Sequence, residues 1–158
     1  MAVADVTVQL EQFTEEYLNF DGPKFYSWFG RSLFPENAKD LYYFFVHFKN
    51  DFVPDFTKTI GNGKSVTYAC IQLAYYLGFE EVILIGKDHS YDISGNAGEK
   101  IVATGEEKNH FIKGYYDKGQ VWKVPNYEEE EYTYLQARKG YEAAGRKIVD
   151  ATIGGKLN

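Results

Sequence analysis

Residues 61–91 read GNGKSVTYACIQLAYYLGFEEVILIGKDHSY, and the way this run divides decides the fold. From Ser65 onward, Val66, Cys70, Leu73 and Leu77 recur at steps of four, three and four, which sets them on one face of an α-helix and predicts that this face is core. A second stripe, Tyr68, Gln72 and Tyr75, runs beside it, so the helix is apolar or aromatic around most of its circumference and is expected to be covered on two sides. Gly78 is the expected stop, because glycine tolerates the left-handed conformation that ends a helix. The unbroken apolar run Val82-Ile83-Leu84-Ile85 then predicts a strand buried on both faces of a parallel sheet.

This order of helix and central strand carries a functional expectation. Open parallel sheets hold ligands beyond the carboxyl ends of their strands, where Gly86, Lys87, Asp88 and His89 fall. At the other end, Gly61-Asn62-Gly63 leads flexible backbone into a helix N-terminus, whose free N–H groups suit an anion such as a phosphate. In a doubly wound topology both ends face one crevice, with Gly61, Asn62, Gly63, Ser65 and Asp88 as its expected nucleotide contacts. Gly61-Asn62-Gly63-Lys64-Ser65 ends like a P-loop, but the first glycine of GxxxxGK[ST] would stand at position 58, which is Lys58. A generic anion site and a plain tight turn both remain open at this position.

Composition narrows the classes. A chain of 158 residues, 44% hydrophobic and 25% charged, fits one domain with a modest core, here residues 1–158. A net charge of −6, with four glutamates at residues 128–131, argues against nucleic acid, whose phosphates need a basic surface. No apolar run approaches the length of a membrane span and the first residues lack the features of a signal peptide, so the expected location is cytoplasmic. The single Cys70 cannot form an internal disulfide, and its place on the apolar helix face marks it as a small core residue. Aromatic content of 18%, from 14 Tyr, 12 Phe and 2 Trp, suits core packing or the walls of a sugar or nucleotide pocket.

Along the rest of the chain, Val6 and Val8 suggest a strand stub, and Leu10, Phe13, Tyr17 and Leu18 an amphipathic helix ended before Asp21-Gly22-Pro23. Residues 24–29 and 41–48 are strand candidates. Residues 94–108, rich in Gly, Asn and charge, read as a loop, either mobile over a binding crevice or merely tolerant. Pro125-Asn126 opens the longest helix, residues 127–144, with Tyr134, Ala137, Tyr141 and Ala144 inward and Gly145 as its stop. Residues 147–151 form a final strand. The alternation predicts an α/β fold with a mainly parallel sheet and flanking helices.

Ser65-Val66-Thr67-Tyr68, the helix end Leu77-Gly78-Phe79, Ile83-Leu84-Ile85-Gly86 with Asp88-His89, Asn109-His110-Phe111, Tyr141-Glu142-Ala143-Ala144-Gly145-Arg146-Lys147-Ile148 and Gly154-Gly155-Lys156-Leu157 together resemble the C-terminal half of the MptE-like domain family. That family is similar to the bacterial lipooligosaccharide sialyltransferases and has a pterin diphosphokinase branch. The resemblance spans roughly the last 100 residues, the scale of most of one domain. It implies a Rossmann-like fold. The family's opening strand and glycine-rich loop have no counterpart here, so the expectation is a partial domain shortened at its N-terminus.

The resemblance also implies roles. Tyr68 would help the nucleotide phosphate depart without a metal, and His110 would be the general base that removes the acceptor hydroxyl's proton, work that suits an imidazole. Packing for Tyr68 and a surface position beside Lys108 and Lys113 for His110 are the competing readings. His89 is a rival base, and His47 reads as structural. For the diphosphokinase branch, Asp88 and Asp92 would hold Mg²⁺. No His or Cys cluster has zinc spacing and no Gly-x-Ser-x-Gly elbow occurs. The expected function is transfer of a group from a nucleotide-sugar donor to a glycan acceptor, with no resident cofactor. The alternatives are a Mg²⁺-dependent ATP:hydroxymethylpterin diphosphokinase-like enzyme and a non-catalytic half-domain whose exposed aromatic surplus drives homo-oligomerisation.

Overall fold

The computed structural model describes residues 1–4, 13–90, 95–106, 116 and 118–157. In chain order come β1 (Ala2–Ala4), α1 (Thr14–Asn19), β2 (Lys24–Ser27) and β3 (Leu41–Phe44). Then follow β4 (Val46–His47), β5 (Ile60–Gly61), α2 (Val66–Tyr76) and β6 (Glu81–Leu84). The chain ends with β7 (Lys100–Val102), β8 (Val121–Lys123), α3 (Tyr127–Ala143) and β9 (Lys147–Asp150). Among the described residues the strands form small sheets ordered β1-β2-β3, β4-β5, β6-β9 and β7-β8. All of these pairings are parallel except β7 with β8. Parallel neighbours need crossovers: α1 lies in the one from β1 to β2, a 3-10 helix in the one from β2 to β3, and α3 in the one from β6 to β9. The class is therefore α/β.

Helix α2 lies between two layers. On one side Ala69 and Leu73 pack with Phe44, Phe56 and Ile60, against which Val3 and Phe25 also rest. On the other, Tyr68 and Ile71 join Tyr134, Ala137 and Tyr141 of α3 and Leu84 of β6. Covering on two sides is what the double stripe predicts, but the buried set is Tyr68, Ala69, Ile71, Gln72 and Leu73. Val66 and Leu77, expected inward, are exposed because they stand at the two ends of the helix, past the residues that face either layer. Gly78 adopts φ +89° and ends the helix as expected. Farther out, Tyr17, Tyr26 and Phe34 form a separate aromatic cluster, with Tyr26 and Phe34 edge to face at 4.8 Å.

Gln72 is the polar centre of this layer. Its Oε1 accepts from the N–H groups of Gly61, at 3.0 Å, and Val53, at 3.1 Å, while its Nε2 donates to the Gly61 carbonyl at 3.2 Å. A buried side-chain amide thus takes the place of a strand neighbour beside β5, satisfying backbone groups that would otherwise be stranded.

Several expectations need correction. The strand expected over residues 24–29 stops at Ser27 and turns into a 3-10 helix over Trp28–Leu33. Residues 41–48 split: β3 pairs with β2, whereas β4 pairs with β5. The glycine-rich stretch after residue 94 contains β7, whose neighbour Ala103 packs with Tyr116 and Trp122. Among the described residues strand β6 pairs only with β9, and its two faces differ: Leu84 is buried, while Ile83 is 55% and Ile85 81% exposed. An apolar run signals a strand able to be buried twice over, but among the described residues one layer, α2 with α3, covers it. The expected strand at Val6 and Val8 lies outside the described residues.

Candidate functional site

The carboxyl end of β6 leads through Gly86, at φ +73°, to Lys87, Asp88 and His89. Two backbone bonds fix this segment: the Lys87 N–H donates to Thr152 Oγ1 at 3.0 Å, and the Asp88 carbonyl accepts from the Lys156 N–H at 3.0 Å. At the start of α2, Gly63 and Lys64 both take the left-handed conformation, φ +56° and +59°. A Cβ on Gly63 would overlap the Tyr68 ring, so only glycine fits this turn. Ser65 is the N-cap of α2, yet its side chain does not cap the helix; Oγ lies instead 3.2 Å from the Tyr134 hydroxyl.

Both loops meet the first two turns of α3. That helix is capped by Asn126, whose Oδ1 accepts from the Glu129 N–H at 3.2 Å. From the α2 side, Lys64 Nζ pairs with Glu129 Oε2 at 3.1 Å, and Thr133 Oγ1, which donates to the Glu130 carbonyl at 2.7 Å, lies 3.3 Å from the Gly63 carbonyl. From the β6 side, Lys87 Nζ reaches Glu130 Oε2 at 3.0 Å, and His89 Nδ1 lies 3.4 Å from the same oxygen. Lys87 Nζ also stands 5.5 Å from the centre of the Tyr134 ring, and His89 packs edge to face on Tyr127 at 5.1 Å. Burial pushes the Tyr134 phenol up, with the Lys87 charge opposing it.

The two ion pairs differ in depth. Lys64 and Glu129 are half-exposed, whereas the side chains of Glu130, His89 and Lys87 are 7%, 5% and 17% exposed. A carboxylate this far from water must be paired, and Lys87 is its partner.

The expected site residues fall in different places. Gly63 and Ser65 join the 87–89 segment around α3. Gly61 is buried in β5 with its N–H and carbonyl held by Gln72, and the Asn62 N–H donates to the Lys49 carbonyl at 3.0 Å. Asp88 is exposed beside the cluster. Tyr68 is fully buried between Gly63 and Tyr134; its hydroxyl makes no hydrogen bond among the described residues, and burial pushes its pKa far up. His110 and Asp92 lie outside the described residues.

Glu130 and Tyr134 are the members that reading for motifs passed over, whereas Lys87 already stood at the expected strand end. The signal for Glu130 was present: residues 130, 134, 137 and 141 share the inward helical spacing, so this one glutamate of the acidic run had to face the core. Among the described residues no group of three or more His, Cys, Asp or Glu side chains is arranged to hold a metal ion, and no helix is long and apolar enough to cross a membrane. Compared with family models, characterised proteins and solved structures, the chain matches none of them.

Proposed function

We propose that this chain is a Rossmann-like, glycosyltransferase-like domain that binds a nucleotide-linked sugar and transfers the sugar to a hydroxyl of a glycan acceptor. The observation that carries the reading is the meeting of the α2 start and the β6 tip on α3, through Ser65 with Tyr134 and Lys87 with Glu130. A donor phosphate between residues 63–65 and Lys87 would gain the N–H groups at the start of α2, which the Ser65 side chain does not cap, and two lysines now engaged by glutamates. The parallel pairing of β1-β2-β3 and of β6-β9 supports the Rossmann-like arrangement. Calorimetric titration tests it: cytidine nucleotides binding without metal support the reading, and strict dependence on ATP with Mg²⁺ replaces it with diphosphokinase chemistry.

A second reading, self-association, is favoured by the outer face of the β6-β9 pair. Ile83 and Val149 are register partners and both are exposed, with Ile85 continuing the same face. Parallel strands with one face bare to water are unusual, and a second copy would cover them. Sedimentation equilibrium decides this: a monomer at all concentrations removes it.

A further inference from the structure

Past the ends of β2 and β3 the chain exposes a joined aromatic patch. Ser27 and Phe44 are register partners at the carboxyl ends of these parallel strands, so the next residues, Trp28 and Phe45, emerge side by side. Their ring centroids lie 5.3 Å apart at 34°, and Tyr43 meets Trp28 edge on at 5.7 Å. Trp28 is 37% and Phe45 47% exposed, although burying rings of this size is a main source of core stability. Single exposed rings need no explanation, but rings in mutual contact beyond strand carboxyl ends stand where parallel sheets hold ligands.

A cation completes the patch. The Arg31 guanidinium sits 4.6 Å from the centre of the Trp28 ring, and its Nη1 donates to the Trp28 carbonyl at 3.3 Å. Its charge also opposes the upward push that burial gives the Tyr43 phenol. Arg31 is exposed, and among the described residues no carboxylate pairs with it, in a chain whose net charge is −6. A purely apolar partner, a second copy included, would have to strip water from this charge without replacing it. A ligand that carries an apolar ring face and an anion together meets both features: the face lies on the rings, and the anion takes the planar fork of Arg31 donors. Trp28 and Phe45 leave no slot for a nucleobase, because stacking on both of its faces needs about 7 Å between rings. A pyranose has the required apolar face in its axial C–H groups, and a uronic acid adds a carboxylate to the same ring.

We propose that Trp28, Phe45 and Arg31 form a binding site for an acidic glycan, with a sugar ring stacked on the two aromatics and its carboxylate on the arginine. The site is independent of the donor reading above, since a chain that binds no nucleotide can still hold such a glycan.

NMR titration of the whole chain with tetragalacturonate tests it. Saturable shifts are expected at the Trp28 indole N–H, Arg31 and Phe45, while the buried Trp122 indole stays still. A neutral galactose tetrasaccharide should bind at least about tenfold more weakly. Arg31→Gln should weaken tetragalacturonate binding by about tenfold or more, and Phe45→Ser by about threefold to tenfold. Phe79→Ser, which removes an exposed ring in the turn after α2, should change it by less than about twofold. No saturation by about 10 mM, shifts centred elsewhere, or equal binding of the neutral sugar overturns the proposal. Equal binding of tetraglutamate overturns it as well, because charge alone would then suffice. Sedimentation equilibrium adds the rival occupant: self-association that Phe45→Ser abolishes gives the patch to a second copy and overturns the glycan site. Cytidine nucleotide binding at residues 63–65 without tetragalacturonate binding sinks this site alone, and the reverse pattern keeps it and sinks the donor reading.

Discussion

Ser65 Oγ and the Tyr134 hydroxyl lie 3.2 Å apart, joining the N-cap of α2 to the second turn of α3 across 69 positions of chain. The bond is partly buried, so each partner left alone loses more than it would in water. Tyr134→Phe should lower stability by about 1 kcal/mol, and Ser65→Ala by a similar amount. In a double-mutant cycle by urea unfolding, the two losses should sum to more than that of the double variant, because both remove one interaction.

The Gln72 side chain makes four hydrogen bonds to backbone at once. Replacing it with Leu keeps the volume but strands the Gly61 and Val53 N–H groups and the Gly61 carbonyl in a dry interior. At about 1–3 kcal/mol for each buried group left unmet, Gln72→Leu should be among the most damaging single changes in the chain. Chemical unfolding midpoints against the exposed control Tyr76→Leu would measure it.

Tyr68 offers a change in the opposite direction. Its buried hydroxyl has no hydrogen-bond partner among the described residues, so Tyr68→Phe should be neutral or stabilising by about 1 kcal/mol near neutral pH. Burial raises the phenols of Tyr17, Tyr68 and Tyr141 above the usual tyrosine range. The unfolded chain loses each phenolic proton near pH 10 while the folded chain keeps it. The stability involved is therefore fully present below about pH 10 and drains as pH rises above it, by up to about 1.4 kcal/mol per pH unit for each group. Guanidinium midpoints at pH 8 and pH 11 should show the fall, and Tyr68→Phe should remove one group's share of it.

Helix α2, its stop at Gly78, the Asn126 start of α3 and the inward line of Tyr134, Ala137 and Tyr141 were readable because each rests on local spacing or a local backbone need, whereas Ala144, expected on the same line, is the exposed C-cap just past the helix. What resisted reading depends on partners distant in sequence. Nothing within residues 41–48 says that β4 leaves β2 for β5, and nothing within Val82-Ile83-Leu84-Ile85 says that one face stays bare. The site divides in the same way. Lys87 and His89 were legible as a strand end, but Glu130, which gathers them, sat in an acidic run that reads as solvated unless the helical phase is followed back from Tyr141.

The bare face of β6 makes its own prediction. Ile85→Lys places a charge where the side chain is already in water, so folding stability should change by no more than about 0.5 kcal/mol. If copies of the chain cover this face, the same substitution should raise the dissociation constant at least about tenfold, the equivalent of one buried aliphatic side chain. Sedimentation equilibrium of the two proteins compares them directly.

The most direct test of the account is an amide NMR titration with cytidine monophosphate in the absence of metal. The account predicts saturable shifts at Gly63, Ser65 and Val66 together with Lys87 and His89, the two ends that α3 joins, while β7 and β8 stay still. Shifts confined to one of those ends, shifts elsewhere, or none at millimolar nucleotide would contradict it.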